Sequence, residues 1–454
     1  MTCSSACLGC SSRGQCSRGV CVCEDGARGI DCAEGSNAAA GLSGRATLGI
    51  RIYVYDIPEE LATRPYSLKY CRNGQSSIYG AEERFLPMLL KDEAVRTVNP
   101  AEANLFYVPT FTTYGPAGNV GCDRARITMI QEYIRTHRPY WSRCHGCDHV
   151  FFMTNDRGAC GLGPAGKNSI ILTHWGLLGP YAPTMTEFEQ NDAHYWNKSV
   201  LVSRIGSGQW CHSPHKDIVV PPLYLGSRRV AGRTGETNRP FLLSFAGGIW
   251  GYNNRLHRGK KNLSYYSQGM RQTIFMRHAH DPHMHIVDHA APDTIFDRSE
   301  FCLAPSGGGF GIRLLKTVAL GCVPLIAQPY VLQPFEDLLQ YDEFSLRAGH
   351  KDVARLPEYL QQQRQFASQM RSRLREIDRA YTWGSDGLAY NFTILSLCLR
   401  ANDLRKDVVS TNRCSVLSEA LSLTGRRWRR HPAWFPPPLR SAMRILTTMR
   451  SSPY

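Results

Sequence analysis

The sequence has no run of about 18 consecutive apolar residues, the least that carries a helix through a hydrocarbon layer roughly 30 Å thick. No transmembrane span is therefore expected. Its first residues also lack the basic and apolar regions of a secretory signal. The glycine run at 307–311 is not closed by Gly-Lys-Ser/Thr, which excludes a P-loop. It also does not follow the first strand of a domain with an acid about twenty residues on, which excludes the dinucleotide fingerprint. Low hydrophobicity is absent too: 43% of residues are hydrophobic and 20% charged, so disorder is not the default. No solenoid-length repeat is visible.

Cysteine, by contrast, is abundant. There are 17, and seven fall between Cys3 and Cys32, far more than a cytosolic enzyme without metal carries. Three sequons, at Asn197, Asn262 and Asn391, agree with passage through the secretory route. A lumenal chain whose N-terminal membrane anchor lies outside this sequence is the expectation.

The formal charge of +15 favours anionic partners: nucleotide diphosphates, acidic glycans, headgroups or nucleic acid. About half of it is terminal, because from Arg400 onward eleven Lys/Arg face only Asp403, Asp407 and Glu419. Those basic residues are not interleaved with a recognised nucleic-acid fold, so nucleic acid is set aside.

From residue 48 on, short β-branched and aromatic runs alternate with helical stretches, the pattern of an α/β fold with a parallel sheet. The cycle restarts at 240. The organisation expected is a disulfide module at 1–35, a linker at 36–47, one Rossmann-like domain at 48–225, a linker at 226–239, a second such domain at 240–395 and a basic, proline-containing tail at 396–454.

The segment richest in chemistry is 299–326. A buried strand feeds a glycine-rich turn, Ser306, Gly307, Gly308, Gly309 and Gly311, and the turn opens a helix headed by Arg313. Backbone N–H groups there can approach a diphosphate without a Cβ in the way, and the arginine can pair with its charge. A tight turn that needs glycine only for its backbone angles is the alternative. Two other clusters have ligand chemistry. Cys144 and Cys147 with His149 lack a second pair at zinc spacing, so disulfide pairing is expected. His278, His280, His283, His285 and His289 are interrupted by Pro282, so a structural or acceptor-facing loop is expected. No metal site is assigned and no cofactor is expected.

The N-terminal spacing, Cys3-x3-Cys7-x2-Cys10-x5-Cys16-x4-Cys21-x-Cys23-x8-Cys32, resembles an EGF-like module, a zinc-binding cluster being the alternative. The resemblance implies pairs Cys7–Cys16, Cys10–Cys21 and Cys23–Cys32, with Cys3 left over, and a role as spacer or contact surface. Further on, Phe301-Cys-Leu-Ala-Pro-Ser-Gly307, Arg313-Leu314, Gly321-Cys-Val-Pro-Leu-Ile326 and Gln333-Pro-Phe-Glu-Asp337 resemble the C-terminal signature of exostosin-like glycosyltransferases. Ile52-Tyr-Val-Tyr-Asp56, Tyr79-Gly-Ala-Glu-Glu-Arg-Phe85 and the stretches 96–109, 149–158 and 216–222 continue the likeness from about 50 to 350 in order.

That resemblance implies a GT-B-like pair of domains facing across a cleft, acceptor on the first and nucleotide-sugar donor on the second. It implies inverting transfer to a glycan or glycoprotein in the Golgi lumen, without a metal held by Asp-x-Asp, and the sequence has no such motif. Within this frame Arg255 and Arg313 are candidates for the diphosphate and Glu336 for the donor ribose. Asp156, just past a buried strand, is the candidate general base. The competing readings are surface arginines, a carboxylate that suits a helix dipole and a turn-forming aspartate. Lys316 stands where many members carry an acid, which leaves a catalytically inactive glycan-binding or adhesion protein on the same fold as the alternative function.

Overall fold

The computed structural model describes residues 10–17, 20–34, 50–58, 61, 78–111, 120–178, 211–226, 238–249, 266–307, 310–404 and 414. At the N-terminus β1 (Gly14–Ser17) and β2 (Val20–Cys23) form an antiparallel hairpin. It is stapled by Cys10–Cys21 and Cys23–Cys32, two of the pairs the EGF-like spacing implied. Cys16 is also disulfide-bonded; Cys7 lies outside the described residues.

The first α/β domain carries β3 (Ile52–Val54), α1 (Ala81–Lys91), β4 (Arg96–Thr97), β5 (Leu105–Val108), α2 (Val120–His137), β6 (His149–Met153), β7 (Ile170–Thr173), β8 (Gly176–Leu177) and β9 (Ile218–Val219). Six strands make a parallel sheet in the order β4-β3-β5-β6-β7-β9. Every residue of β5, β6 and β7 is buried. These strands are covered on both faces, which is why they read as unbroken apolar runs rather than alternating ones.

The second domain contains β10 (Phe241–Ala246), α3 (Met270–His278), β11 (Met284–Val287), α4 (Thr294–Asp297), β12 (Ser299–Pro305), α5 (Arg313–Ala319), β13 (Val323–Ala327), β14 (Val331–Leu332), β15 (Leu346–Arg347), α6 (Leu356–Gln363), α7 (Ala367–Ile377) and α8 (Ala389–Leu404). Its five-stranded parallel sheet runs β11-β10-β12-β13-β15. In both sheets the chain starts centrally, goes one strand outward, then returns past the first strand and continues the other way. Each therefore has a switch point beside its first strand, where a crevice opens beyond the carboxyl ends. The result is the two-domain α/β layout that the GT-B-like resemblance implied.

The two halves are stitched together. β14 of the second pairs antiparallel with β8 of the first, and Phe335 N donates to Val219 O at 2.9 Å. Gly176 is needed at that seam because a Cβ there would lie 2.4 Å from Leu332 O.

One expected boundary falls inside an element. The division at 395/396 lies within α8, and the helix bridges the two halves: Phe392 packs on Phe335 and Arg400 donates to Asp337 Oδ2 at 3.1 Å in the second, while other contacts reach the first. Trp383 Nε1 just before it donates to Pro221 O at 2.7 Å, Tyr390 OH to Asp92 Oδ2 at 2.7 Å, and Arg400 to Pro214 O at 3.1 Å. Ala389, Phe392, Leu395 and Cys398 are buried, so the apolar face that docks this helix runs straight through the boundary. Cys398–Cys414 secures its end.

Nor is the N-terminal module a free spacer. Arg96 donates to Asp31 from both terminal nitrogens, at 2.5 and 2.8 Å, with both side chains buried. Arg96 on β4 also bonds Leu90 O, so one guanidinium joins the module, α1 and the sheet edge.

Candidate active site

Asp156 stands two residues beyond Thr154, at the carboxyl end of β6. The turn there is made by its neighbour: Asn155 Oδ1 accepts from Arg157 N at 2.9 Å and Gly158 N at 2.7 Å. Gly158 has φ +49°, and a Cβ on it would strike Thr173 Oγ1. Because Asn155 and Gly158 shape the turn, the Asp156 carboxylate is left to do something else. Its Oδ1 accepts from Tyr79 OH at 2.7 Å. Burial pushes its pKa up, with the Tyr79 bond and Arg157 pulling back, the direction a proton acceptor in a cleft requires.

The glycine-rich loop of the second domain meets it. Phe310 N donates to Asp156 O at 3.2 Å, and the Phe310 ring stands edge-on to Tyr79 and His174, 5.6 and 5.2 Å between centroids. Gly311 is required where the loop turns back, since a Cβ would come within 2.5 Å of Pro305 O. Gly307 O accepts from Ser267 N. Ser306 is turned inward, its Oγ on Gln328 Oε1 at 3.2 Å. Gly308 and Gly309 lie outside the described residues.

Two arginines bracket the second sheet's switch point. Arg313 donates to Ala246 O, at the carboxyl end of β10. Arg271, on α3, donates to Gly248 O at 2.7 Å and Ser306 O at 2.6 Å, tying together the loops that leave β10 and β12. Both guanidinium groups stack on Phe245, at 5.2 and 5.1 Å from its centroid. Sequence reasoning named Arg313 but not Arg271, which lies in no recognisable motif. Arg255 lies outside the described residues.

A family model for the exostosin GT47 domain matches residues 46–363. The chain belongs to the exostosin GT47 family. Among its relatives are a probable glucuronosyltransferase of Oryza sativa subsp. japonica, 28% identical over 348 residues, covering 73% of this chain and 76% of that protein, and a probable glucuronoxylan glucuronosyltransferase of Arabidopsis thaliana, 26% identical over 327 residues, covering 69% and 64%. Among solved structures, the pneumococcal O-GlcNAc transferase GtfA in complex with UDP and GlcNAc aligns with a TM-score of 0.28 at 11% identity, over 61% of this chain and 60% of that one.

As a GT47 glycosyltransferase the chain places its remaining expected residues as follows. Glu336 closes its own turn, Oε2 accepting from Gln333 N at 2.8 Å, and its Oε1 pairs with Arg347 at 2.6 Å. Lys316 pairs with Asp293 at 2.6 Å and lies over the Phe296 ring, so its charge is engaged with α4. Cys144 and Cys147 are bonded to each other, and His278 Nε2 bonds Val353 O at 2.6 Å. Among the described residues no group of three or more His, Cys, Asp or Glu is arranged to hold a metal, and no helix is long and apolar enough to cross a membrane. Asn391 is half-buried in α8, where the Thr393 hydroxyl donates to Ala389 O at 2.7 Å; Asn197 and Asn262 lie outside the described residues.

Proposed function

We propose that this GT47 enzyme transfers a sugar, a uronic acid such as glucuronate being the first candidate, from a UDP-sugar to a cell-wall or matrix glycan, with inversion and without a metal. The donor diphosphate sits over the switch point between β10 and β12. Arg271 and Arg313 supply fixed positive charge there as the leaving group gains negative charge. Asp156 takes the proton from the attacking hydroxyl, with Tyr79 orienting the carboxylate. The relatives named as glucuronosyltransferases support the donor, and the secretory disulfides and sequons support a Golgi lumenal setting.

The observation that carries this reading is the bond from Phe310 N to Asp156 O. It brings the only expected base and the loop after the donor strand to one place, from domains far apart in sequence. The test is incubation of the purified protein with UDP-glucuronate, other UDP-sugars and xylo-oligosaccharides. NMR of the new anomeric centre should show inversion, and activity should survive a chelator. Retention of configuration would overturn the roles assigned to the cleft.

A further inference from the structure

His174 and Trp175 follow β7, facing the same seam, and neither has a role in the reaction above. Both are buried, 5% and 3% exposed. His174 Nδ1 lies 3.0 Å from Val220 O; a carbonyl only accepts, so Nδ1 carries the proton and Nε2 presents a lone pair. That Nε2 has no hydrogen-bond partner among the described residues, and neither does Trp175 Nε1. A buried donor or acceptor left unmade costs on the order of 1–3 kcal/mol, so two on adjacent residues call for an explanation. The Phe310 ring packs beside them: it stands 5.2 Å from His174, and Phe310 belongs to the same apolar cluster as Trp175. The backbone of Phe310 is held on Asp156 O, so this residue links the buried pair to the candidate base.

An acceptor and a donor, each desolvated and walled by aromatic rings, match one chemistry well. A sugar hydroxyl donates once and accepts as well, and its ring C–H face packs on aromatic side chains. Burial pushes the His174 pKa down to about 4, so the imidazole stays neutral and keeps its lone pair at lumenal pH.

We propose that the Phe310 side chain moves aside when acceptor binds and that a hydroxyl of the acceptor sugar then donates to His174 Nε2, with Trp175 Nε1 as the matching donor. His174 is then a specificity-determining residue of the acceptor site. This deepens the transferase reading and rests on it.

The test separates the two ring nitrogens. In His174→Asn the amide nitrogen can still donate to Val220 O while nothing stands at the Nε2 position; in His174→Gln the amide oxygen reaches that position. Initial rates are measured with UDP-glucuronate as donor and xylohexaose as acceptor, beside thermal unfolding. The expected result is an acceptor KM raised about tenfold in His174→Asn, the worth of one hydrogen bond near 1.4 kcal/mol, with little change in donor KM and substantial recovery in His174→Gln. An unchanged acceptor KM in both variants would show that the nitrogen serves only an internal water, and a loss shared by both variants that tracks a fall in Tm would show a packing role; either overturns the proposal. A wild-type protein that turns over no UDP-sugar would instead overturn the underlying transferase reading.

Discussion

Phe310 donates its backbone N–H to the main-chain carbonyl of Asp156, so the glycine loop of one domain is fastened beside the carboxylate of the other. The side chain of Asp156 takes no part in that bond. Its removal should therefore leave the seam intact.

Asp156→Asn is accordingly expected to lower kcat by about 10²–10⁴-fold, the usual worth of a general base, with Tm within a degree or two of the parent. Steady-state rates and calorimetry check this together. A variant with near-parental kcat would remove Asp156 from the mechanism.

Arg271 holds the loops after β10 and β12 by two carbonyls and is only 5% exposed. Arg271→Gln should weaken UDP binding at least tenfold by titration calorimetry and lower Tm, because it removes both the charge and the brace. Arg271→Lys should not rescue binding fully, since an ammonium cannot span the two acceptors as a planar guanidinium does.

The Asp31–Arg96 pair is buried on both sides. Arg96→Met leaves a buried carboxylate without its counter-ion, and a destabilisation of about 3–5 kcal/mol is expected in urea unfolding. Adding Asp31→Leu should recover part of it. If Arg96→Met unfolds at the parental urea midpoint, the module is not an integral part of the fold.

His174 and His212 are both pushed down to about 4 by burial. As pH falls below their ordinary 6.5 the unfolded chain takes up protons that the folded chain refuses until about 4. Their stabilisation is thus complete above pH 6.5 and is lost on acidification through that window. Glu34, raised to about 7 by desolvation, slopes the other way: its contribution is present below 4.5 and lost as pH rises through 7. Comparing urea midpoints of the parent and His212→Gln from pH 4 to 7 isolates one histidine, and the variant should lose less stability in acid.

Much of the architecture was legible because parallel strands buried on both faces leave unbroken apolar runs; β6 and β12 stand out in the sequence for this reason. α8 was cut at 395 because its apolar residues declare a buried helix but not the surface that buries it. Asp156 was singled out by its place after a strand, and only the structure shows that Asn155 Oδ1 makes the bonds of the turn beside it.

By itself the sequence determined the family, the two α/β cycles, the cysteine framework and the glycine loop with Arg313, since each depends on local pattern or residue order. The tertiary structure alone decided that the loop meets Asp156, that Arg271 joins it, that Phe310 packs beside His174 and that the N-terminal module is cemented to β4. These are contacts between residues distant along the chain. Such contacts are fixed by how the two sheets and their covering helices pack against one another, and no local pattern encodes that packing.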